Sequence, residues 1–329
     1  MKTLLAAVPL VIASSLTHAA DCGTVTIAEM NWASAEFAAN LDKIILEEGY
    51  GCNVELIPGS TVTSFASMES KGQPDIAPEL WANAFFDRID AAVEKGDIVR
   101  GPRLITDAAE GWFISKAVAD AHPEIKTVQD VLNNPQLFPS KEDPNVGQFM
   151  TCPAGWACQI ASNNLAKPSA FDFAKHNFTV VDPGSAAGLD GAIAKSYDRE
   201  EAWFGYYWQP TVPITKYELK KLDFGVEFDK EHWDGCLVNE TCAEPKKSDY
   251  TPSDVMTVVV SKFANSHPEE MKYLNTRSYD SNMAGQVIVY MDDNQANGED
   301  GAYFFLQNFE DVWTKWVPAD VAEKIKAAL

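Results

Sequence analysis

Thr24-Val-Thr-Ile-Ala-Glu-Met30, Ser34-Ala-Glu-Phe-Ala-Ala-Asn-Leu-Asp-Lys-Ile-Ile-Leu-Glu-Glu48, Asn53-Val-Glu-Leu-Ile-Pro58, Ser60-Thr-Val-Thr-Ser-Phe-Ala-Ser-Met-Glu-Ser70 and Asp75-Ile-Ala-Pro-Glu-Leu-Trp81 follow one another with short connections. The first, third and fifth segments have the length and apolar alternation of strands, and the second and fourth the wider apolar spacing of amphipathic helices. Ser34 is a suitable N-cap for the first helix. Strands alternating with helices predict a parallel, doubly wound α/β sheet whose ligand edge lies at the C-terminal ends of the strands. Trp32 and Trp81 fall at such ends.

Working outward, a new strand is expected over 109–115, a helix from Thr127, a strand over 178–182, a helix after 183–188, an aromatic strand over 202–208 and a strand over 254–261, with helices to the end. The tract 228–253 is charged and holds two cysteines, and reads as an irregular surface excursion. About 310 residues beyond a leader exceed the usual limit for one core, so two lobes are expected. We place 20–110 and 254–329 in lobe 1 and 111–253 in lobe 2. A segment that leaves a lobe and returns makes two hinge crossings, the connectivity of a clamshell that closes on its ligand.

Residues 1–19 carry one lysine, a short apolar run and small residues before Ala20, the pattern of a secretory signal peptide cleaved near Ala19. All six cysteines lie beyond it, an even number suited to an oxidising compartment. Cys152–Cys158 and Cys236–Cys242 are the local pairs, which leaves Cys22–Cys52. The spacings lack C-x-x-C pairs with nearby histidines, so no zinc site is expected, and Asp21 before Cys22 argues against a lipid anchor. A formal charge of −22 argues against nucleic acid and anionic membrane surfaces as partners. A free, soluble monomer in the periplasm is expected.

No nucleophile elbow, P-loop, dinucleotide fingerprint or H-E-x-x-H is present, and His122, His176, His232 and His267 are scattered. No catalytic residue, cofactor or metal is therefore expected. The acidic run 292–300 fails the EF-hand spacing at Ala296 and reads as a solvated loop. The tryptophans carry more information. Trp81, Trp156 (inside Cys152-Pro-Ala-Gly-Trp-Ala-Cys158), Trp208 and Trp32 all sit where strands give way to loops, placed for a cleft. Converging indoles suit a quaternary ammonium, whose charge is spread over methyl groups and which is drawn to ring faces within about 6 Å at roughly 0.5–2 kcal/mol per contact. An anionic end of the same ligand would find free N–H groups at Ala157 and Cys158, where a helix begins.

Pro78-Glu-Leu-Trp81, Cys152-Pro-Ala-Gly-Trp-Ala-Cys158 and Phe204-Gly-Tyr-Tyr-Trp-Gln-Pro210 make the chain resemble, over nearly its full length, the periplasmic glycine betaine and proline betaine binding proteins of ABC importers. The resemblance implies a type II periplasmic-binding-protein clamshell and a cage of Trp81, Trp156 and Trp208. It also implies N–H donors at Ala157 and Cys158 for a ligand carboxylate, and a cognate permease in the inner membrane. Two positions depart from it. Phe85 stands where a close member has a histidine that helps hold the carboxylate, and Ala157 where glycine often follows the second cage tryptophan. These leave room for choline, carnitine or a sulfonium compound such as dimethylsulfoniopropionate. Glu79 is placed to pair with a cation or accept a choline hydroxyl, and Trp32 to add a fourth wall. An exported enzyme would need a nucleophile with its base or a metal set, and an amino-acid or polyamine binder a charged cleft, for which Glu79 is the visible support.

Overall fold

The computed structural model describes residues 22–329, so the expected leader lies outside the described residues. Among the described residues, ten strands form two five-stranded sheets. They are β1 (Thr24–Met30), β2 (Asn53–Gly59), β3 (Ile76–Trp81), β4 (Ile98–Ile105), β5 (Ala109–Ile114), β6 (Gly147–Met150), β7 (Phe178–Val181), β8 (Phe204–Gln209), β9 (Lys220–Lys221) and β10 (Val255–Val260). The first sheet has the order β2-β1-β3-β10-β4 and the second β7-β6-β8-β5-β9. The chain passes to the second sheet between Ile105 and Ala109, and β10 returns it to the first. This is the two-lobed α/β clamshell expected from the sequence.

The sheets are mixed rather than wholly parallel. β1 pairs in parallel with β2 and β3, and β6 with β7 and β8. β10 runs antiparallel to β3 and β4, with Val255 opposite Trp81 and Ile105, and β5 runs antiparallel to β8, with Glu110 opposite Trp208. Both crossings therefore leave and enter the sheets at the edge where Trp81 and Trp208 sit. β5 and β10 present their N-terminal ends to that edge.

Several local expectations need correction. The first helix is Ala33–Ile44, continued by a π-turn at Ile45–Gly49, and its N-cap is Trp32 rather than Ser34, whose hydroxyl is engaged by Glu79. β4, β6 and β9 escaped the sequence reading. In β4 the alternation is broken by Gly101-Pro102; a Cβ on Gly101 would lie 2.9 Å from the Thr257 carbonyl oxygen of β10, so close strand approach demands glycine there. The acidic run 292–300 is the end of one helix (Ser281–Asn294), a short turn and the start of another (Gly298–Asn308), with Asp292 and Asp293 both accepting from Lys216. The tract 228–253 is more than surface: Trp233 and Tyr250 are buried. The disulfides are Cys22–Cys52, Cys152–Cys158 and Cys236–Cys242, as paired from the sequence.

A buried ion pair ties the first lobe together. Asp42 and Arg277 are each 1% exposed. The Asp42 carboxylate accepts from Arg277 Nε at 2.6 Å, Arg277 Nη2 at 2.5 Å and the Tyr273 hydroxyl at 2.6 Å. Arg277 Nη1 donates to Thr257 Oγ1 of β10 (2.7 Å), and that hydroxyl donates to the carbonyl oxygen of Pro78 in β3 (3.0 Å). Asp42→Ala, which strands the guanidinium, should cost about 3–5 kcal/mol in urea unfolding. Asp42→Leu/Arg277→Met should recover most of that loss, since the apolar pair leaves no buried charge.

Candidate functional site

The cleft edges of the two sheets line one cavity between them. Lobe 1 contributes Trp32, Thr61, Trp81 and Asn83. The second sheet and its helices contribute Glu110, Trp156, Ala157, Cys158, Ala161, Tyr206 and Trp208, and the tract 228–253 adds Trp233 and Tyr250. Of the residues singled out in the sequence, Trp32, Trp81, Trp156, Trp208, Ala157 and Cys158 line this cavity. Glu79 and Phe85 do not, and neither does any of the four histidines.

The indoles form a corner. Trp32 and Trp156 lie 5.3 Å apart between centroids with an interplanar angle of 69°, and Trp156 and Trp208 lie 5.0 Å apart at 81°. Near-perpendicular aromatic planes present their negative faces from different directions, which matches the rounded surface of a methylated cation better than one flat ring would. Trp156 is aimed by its loop: Gly155 takes φ +88°, a left-handed conformation glycine adopts without strain, and the helix Ala157–Leu165 starts directly after it. That helix has no side-chain cap, and Ala157 and Cys158 of its first turn line the cavity. The Trp156 indole N–H crosses the cleft to Asn31 Oδ1 at 3.0 Å.

Glu79 lies behind the rings, which corrects its expected place against the ligand. Its Oε1 accepts three hydrogen bonds, from Trp32 Nε1 (2.7 Å), Ser34 Oγ (2.8 Å) and Trp81 Nε1 (3.1 Å). Its Oε2 is buried with no hydrogen-bond partner among the described residues. Glu79 and Trp81, two apart in β3, project to one face of the strand, so a single carboxylate can reach two indole edges. Burial pushes the Glu79 carboxyl up to about 7, against the lowering effect of the bonds from Trp32, Trp81 and Ser34. Phe85 instead packs on Phe65, with ring centroids 5.7 Å apart.

A second buried carboxyl lines the cavity: Glu110, 5% exposed, which pairs with Trp208 across β5 and β8. The Tyr206 hydroxyl donates to its Oε2 at 2.5 Å and Asn83 Nδ2 donates to its Oε1. Asn83 also accepts the Trp233 indole N–H on its carbonyl oxygen (2.8 Å) and the Asp254 N–H on Oδ1 (2.7 Å). Burial raises the Glu110 carboxyl above its ordinary range, opposed by the bonds from Tyr206 and Asn83 and by the charge of Lys221. Among the described residues, no lysine, arginine or histidine lines the cavity.

Glu110, Asn83, Tyr206, Trp233 and Tyr250 were missed in the sequence. Glu110 sits at the N-terminal end of an antiparallel strand, whereas the strand-end rule directs attention to C-terminal ends. Trp233 and Tyr250 lie in a tract whose charge suggested solvent, although a tryptophan beside a short cystine loop was a usable signal.

The family model for the substrate-binding domain of the ABC-type glycine betaine transport system (OpuAC) matches residues 23–308. Among solved structures, an ABC-transporter choline binding protein in complex with choline is 18% identical with a TM-score of 0.74, covering 93% of this chain and 98% of that one. Glycine betaine/L-proline-binding protein (ProX) from Borrelia burgdorferi is 17% identical with a TM-score of 0.70, covering 92% and 99%. Lactococcal OpuAC, closed around glycine betaine, is 17% identical with a TM-score of 0.67, covering 90% and 100%. At these identities the structures share the fold.

The Glu79 environment has a thermodynamic consequence. A carboxyl raised on folding holds a proton that the unfolded chain releases, so its stabilising contribution is complete below the ordinary carboxylate range and is lost as pH rises through about 7. Glu79→Gln should therefore lose about 2–3 kcal/mol less unfolding free energy than wild type between about pH 5 and about pH 8. Urea titrations at the two pH values check this; an unchanged difference would mean that Glu79 is not the group responsible.

Proposed function

The chain belongs to the family of substrate-binding domains of ABC-type glycine betaine transport systems, and from that premise we propose that its Trp32, Trp81, Trp156 and Trp208 cage captures a methylated onium solute. The ligand is held between the lobes in the periplasm and delivered to an inner-membrane permease. The observation that carries this reading is the perpendicular arrangement of Trp32, Trp156 and Trp208 around one cavity. Indole faces attract a cation that has no N–H to donate, whereas an ordinary ammonium group would call for carboxylates and carbonyls around it. No helix among the described residues is long and apolar enough to cross a membrane, which accords with a carrier that works away from the bilayer. The one ionisable carboxyl lining the cavity, Glu110, is engaged by Tyr206 and Asn83, an arrangement suited to holding a ligand rather than to transforming it.

The polar lining of the cavity favours one subset of onium compounds. A ligand carboxylate would meet the N–H groups of Ala157 and Cys158 but no basic side chain, and would share the cavity with Glu110. A ligand ending in a hydroxyl can donate to Glu110 and satisfies it. This favours a choline-like solute over a carboxylate-bearing betaine on the same cage.

Titration with choline, glycine betaine, carnitine and dimethylsulfoniopropionate, followed by tryptophan fluorescence and calorimetry, tests the proposal. Choline should bind most tightly, and absence of binding to all four would sink the onium reading. Trp156→Ala should weaken binding at least about tenfold with the far-ultraviolet circular dichroism unchanged, because it removes a ring face and a packed wall together. Glu110→Gln should weaken choline more than glycine betaine; the reverse order would reassign the polar lining to a carboxylate.

A further inference from the structure

We propose that Glu79 is the positioning residue of the cage: it fixes the edges of Trp32 and Trp81 and, as a buried negative charge behind them, strengthens the site for a cation, so that ligand binding and Glu79 ionisation are coupled. The inference rests on the onium reading above and goes beyond it.

The geometry is specific. One oxygen of a carboxylate that is 1% exposed takes hydrogen bonds from two cage indoles and from Ser34. Ring edges anchored in this way leave the ring faces to the ligand. An N–H that donates to an anion also pushes electron density into its own ring, which deepens the negative potential on the face a cation meets. The second oxygen, Oε2, makes no hydrogen bond among the described residues, so the ionised form is only half compensated, in keeping with a carboxyl pushed up to about 7. A cation in the cage would supply the missing compensation through the rings.

The charged surroundings are simple. The titratable group that faces Glu79 is Tyr279, whose hydroxyl is buried without a hydrogen bond among the described residues and is pushed up by that burial first and by the Glu79 charge second. Beyond Tyr279 lies the Asp42–Arg277 pair, which is internally neutral. From the first helix only Trp32 and Ser34 reach Glu79, and opposite Trp81 and Leu80 the β10 residues Val255 and Met256 are apolar. The ionisable groups lining the cavity are Glu110 and Tyr206 of the second sheet and Tyr250; burial pushes both tyrosine hydroxyls up.

Coupling is reciprocal: if the cation favours ionised Glu79, the ligand lowers its pKa and expels a proton near pH 7, and acidification weakens binding. Affinity is then complete above the free-state pKa and falls as pH drops through about 7. Tetramethylammonium is the decisive probe, because it fills the cage and carries no group for Glu110.

Dissociation constants for tetramethylammonium and choline should be measured from about pH 5.5 to about pH 8.5 for wild type, Glu79→Gln, Glu79→Leu and Glu110→Gln, with calorimetry near pH 7 in two buffers of different ionisation enthalpy. Wild type should lose at least about fivefold in tetramethylammonium affinity toward the acid end and release protons on binding. Glu79→Gln keeps an acceptor for the indoles but removes the charge. It should bind at least about fivefold more weakly than wild type at the alkaline end, with a flat pH profile and less proton release. Glu79→Leu should be weaker still, since the indole edges lose their anchor. Glu110 lines the same cavity and is also raised, so proton release and acid weakening that persist in Glu110→Gln belong to Glu79, and their disappearance in that variant would overturn the inference. Wild-type affinity and slope in Glu79→Gln would overturn the inference, and so, independently of any variant's folding, would binding to wild type without proton release. If wild type binds neither probe at any pH, the onium reading itself fails and the inference with it.

Discussion

Every indole brought to the cavity wall carries one N–H, and a buried N–H requires an acceptor. The site needs ring faces, because its ligand offers little to hydrogen-bond. The acceptors must therefore lie at the ring edges, outside the ligand's space. Trp32 and Trp81 share Glu79, Trp156 uses Asn31 across the cleft, and Trp233 uses the Asn83 carbonyl. Each of these bonds fixes the ring's rotation within its plane as well as satisfying the donor. A wall of phenylalanines would carry no such obligation and would be held by packing alone.

Two of these bonds, from Trp156 and Trp233, also link the lobes. Asn31 and Asn83 follow strands of the first sheet, while Trp156, Glu110 and Trp233 belong to the second sheet or to the tract after it. Closing the clamshell and satisfying the indoles are thus one event, since separating the lobes would leave the Trp156 and Trp233 N–H groups and the Glu110 carboxyl without these partners. The antiparallel placement of β5 and β10 makes this possible. Both crossings run through the edge of the cleft, so hinge, cage and Glu110 occupy one narrow zone of the molecule.

The fold was legible because its signals are local and periodic. Residues 24–81 alternate strand and helix patterns with short connections, and the even cysteine count with two close spacings led to the observed pairs. Trp32, Trp81, Trp156 and Trp208 were legible because loops at strand ends are poor places to hide an indole in a core. The rest was hidden by direction and context. Glu110 reads as one acidic residue among many until β5 is known to run antiparallel to β8. Glu79 reads as a ligand contact because it neighbours Trp81, and only the three donors converging on it reveal that it faces the ring edges. Ser34 has the chemistry of an N-cap, but a buried carboxylate competes for its hydroxyl and wins, leaving Trp32 to begin the helix.

Two carboxyls are raised by burial beside the cavity, and neither has a formal positive charge against it in the wall. The hydrogen bonds on Glu79 come from neutral donors, whereas Glu110 also feels the charge of Lys221. In the proposed binding mode a cation in the cage compensates Glu79 through the indoles. Selectivity for a cation then follows from two parts of the same design: ring faces that tolerate methyl groups but gain from charge, and an acid behind them that a cation compensates. Removing the acids would leave a greasy pocket with much less reason to distinguish a methylated onium from its neutral isostere.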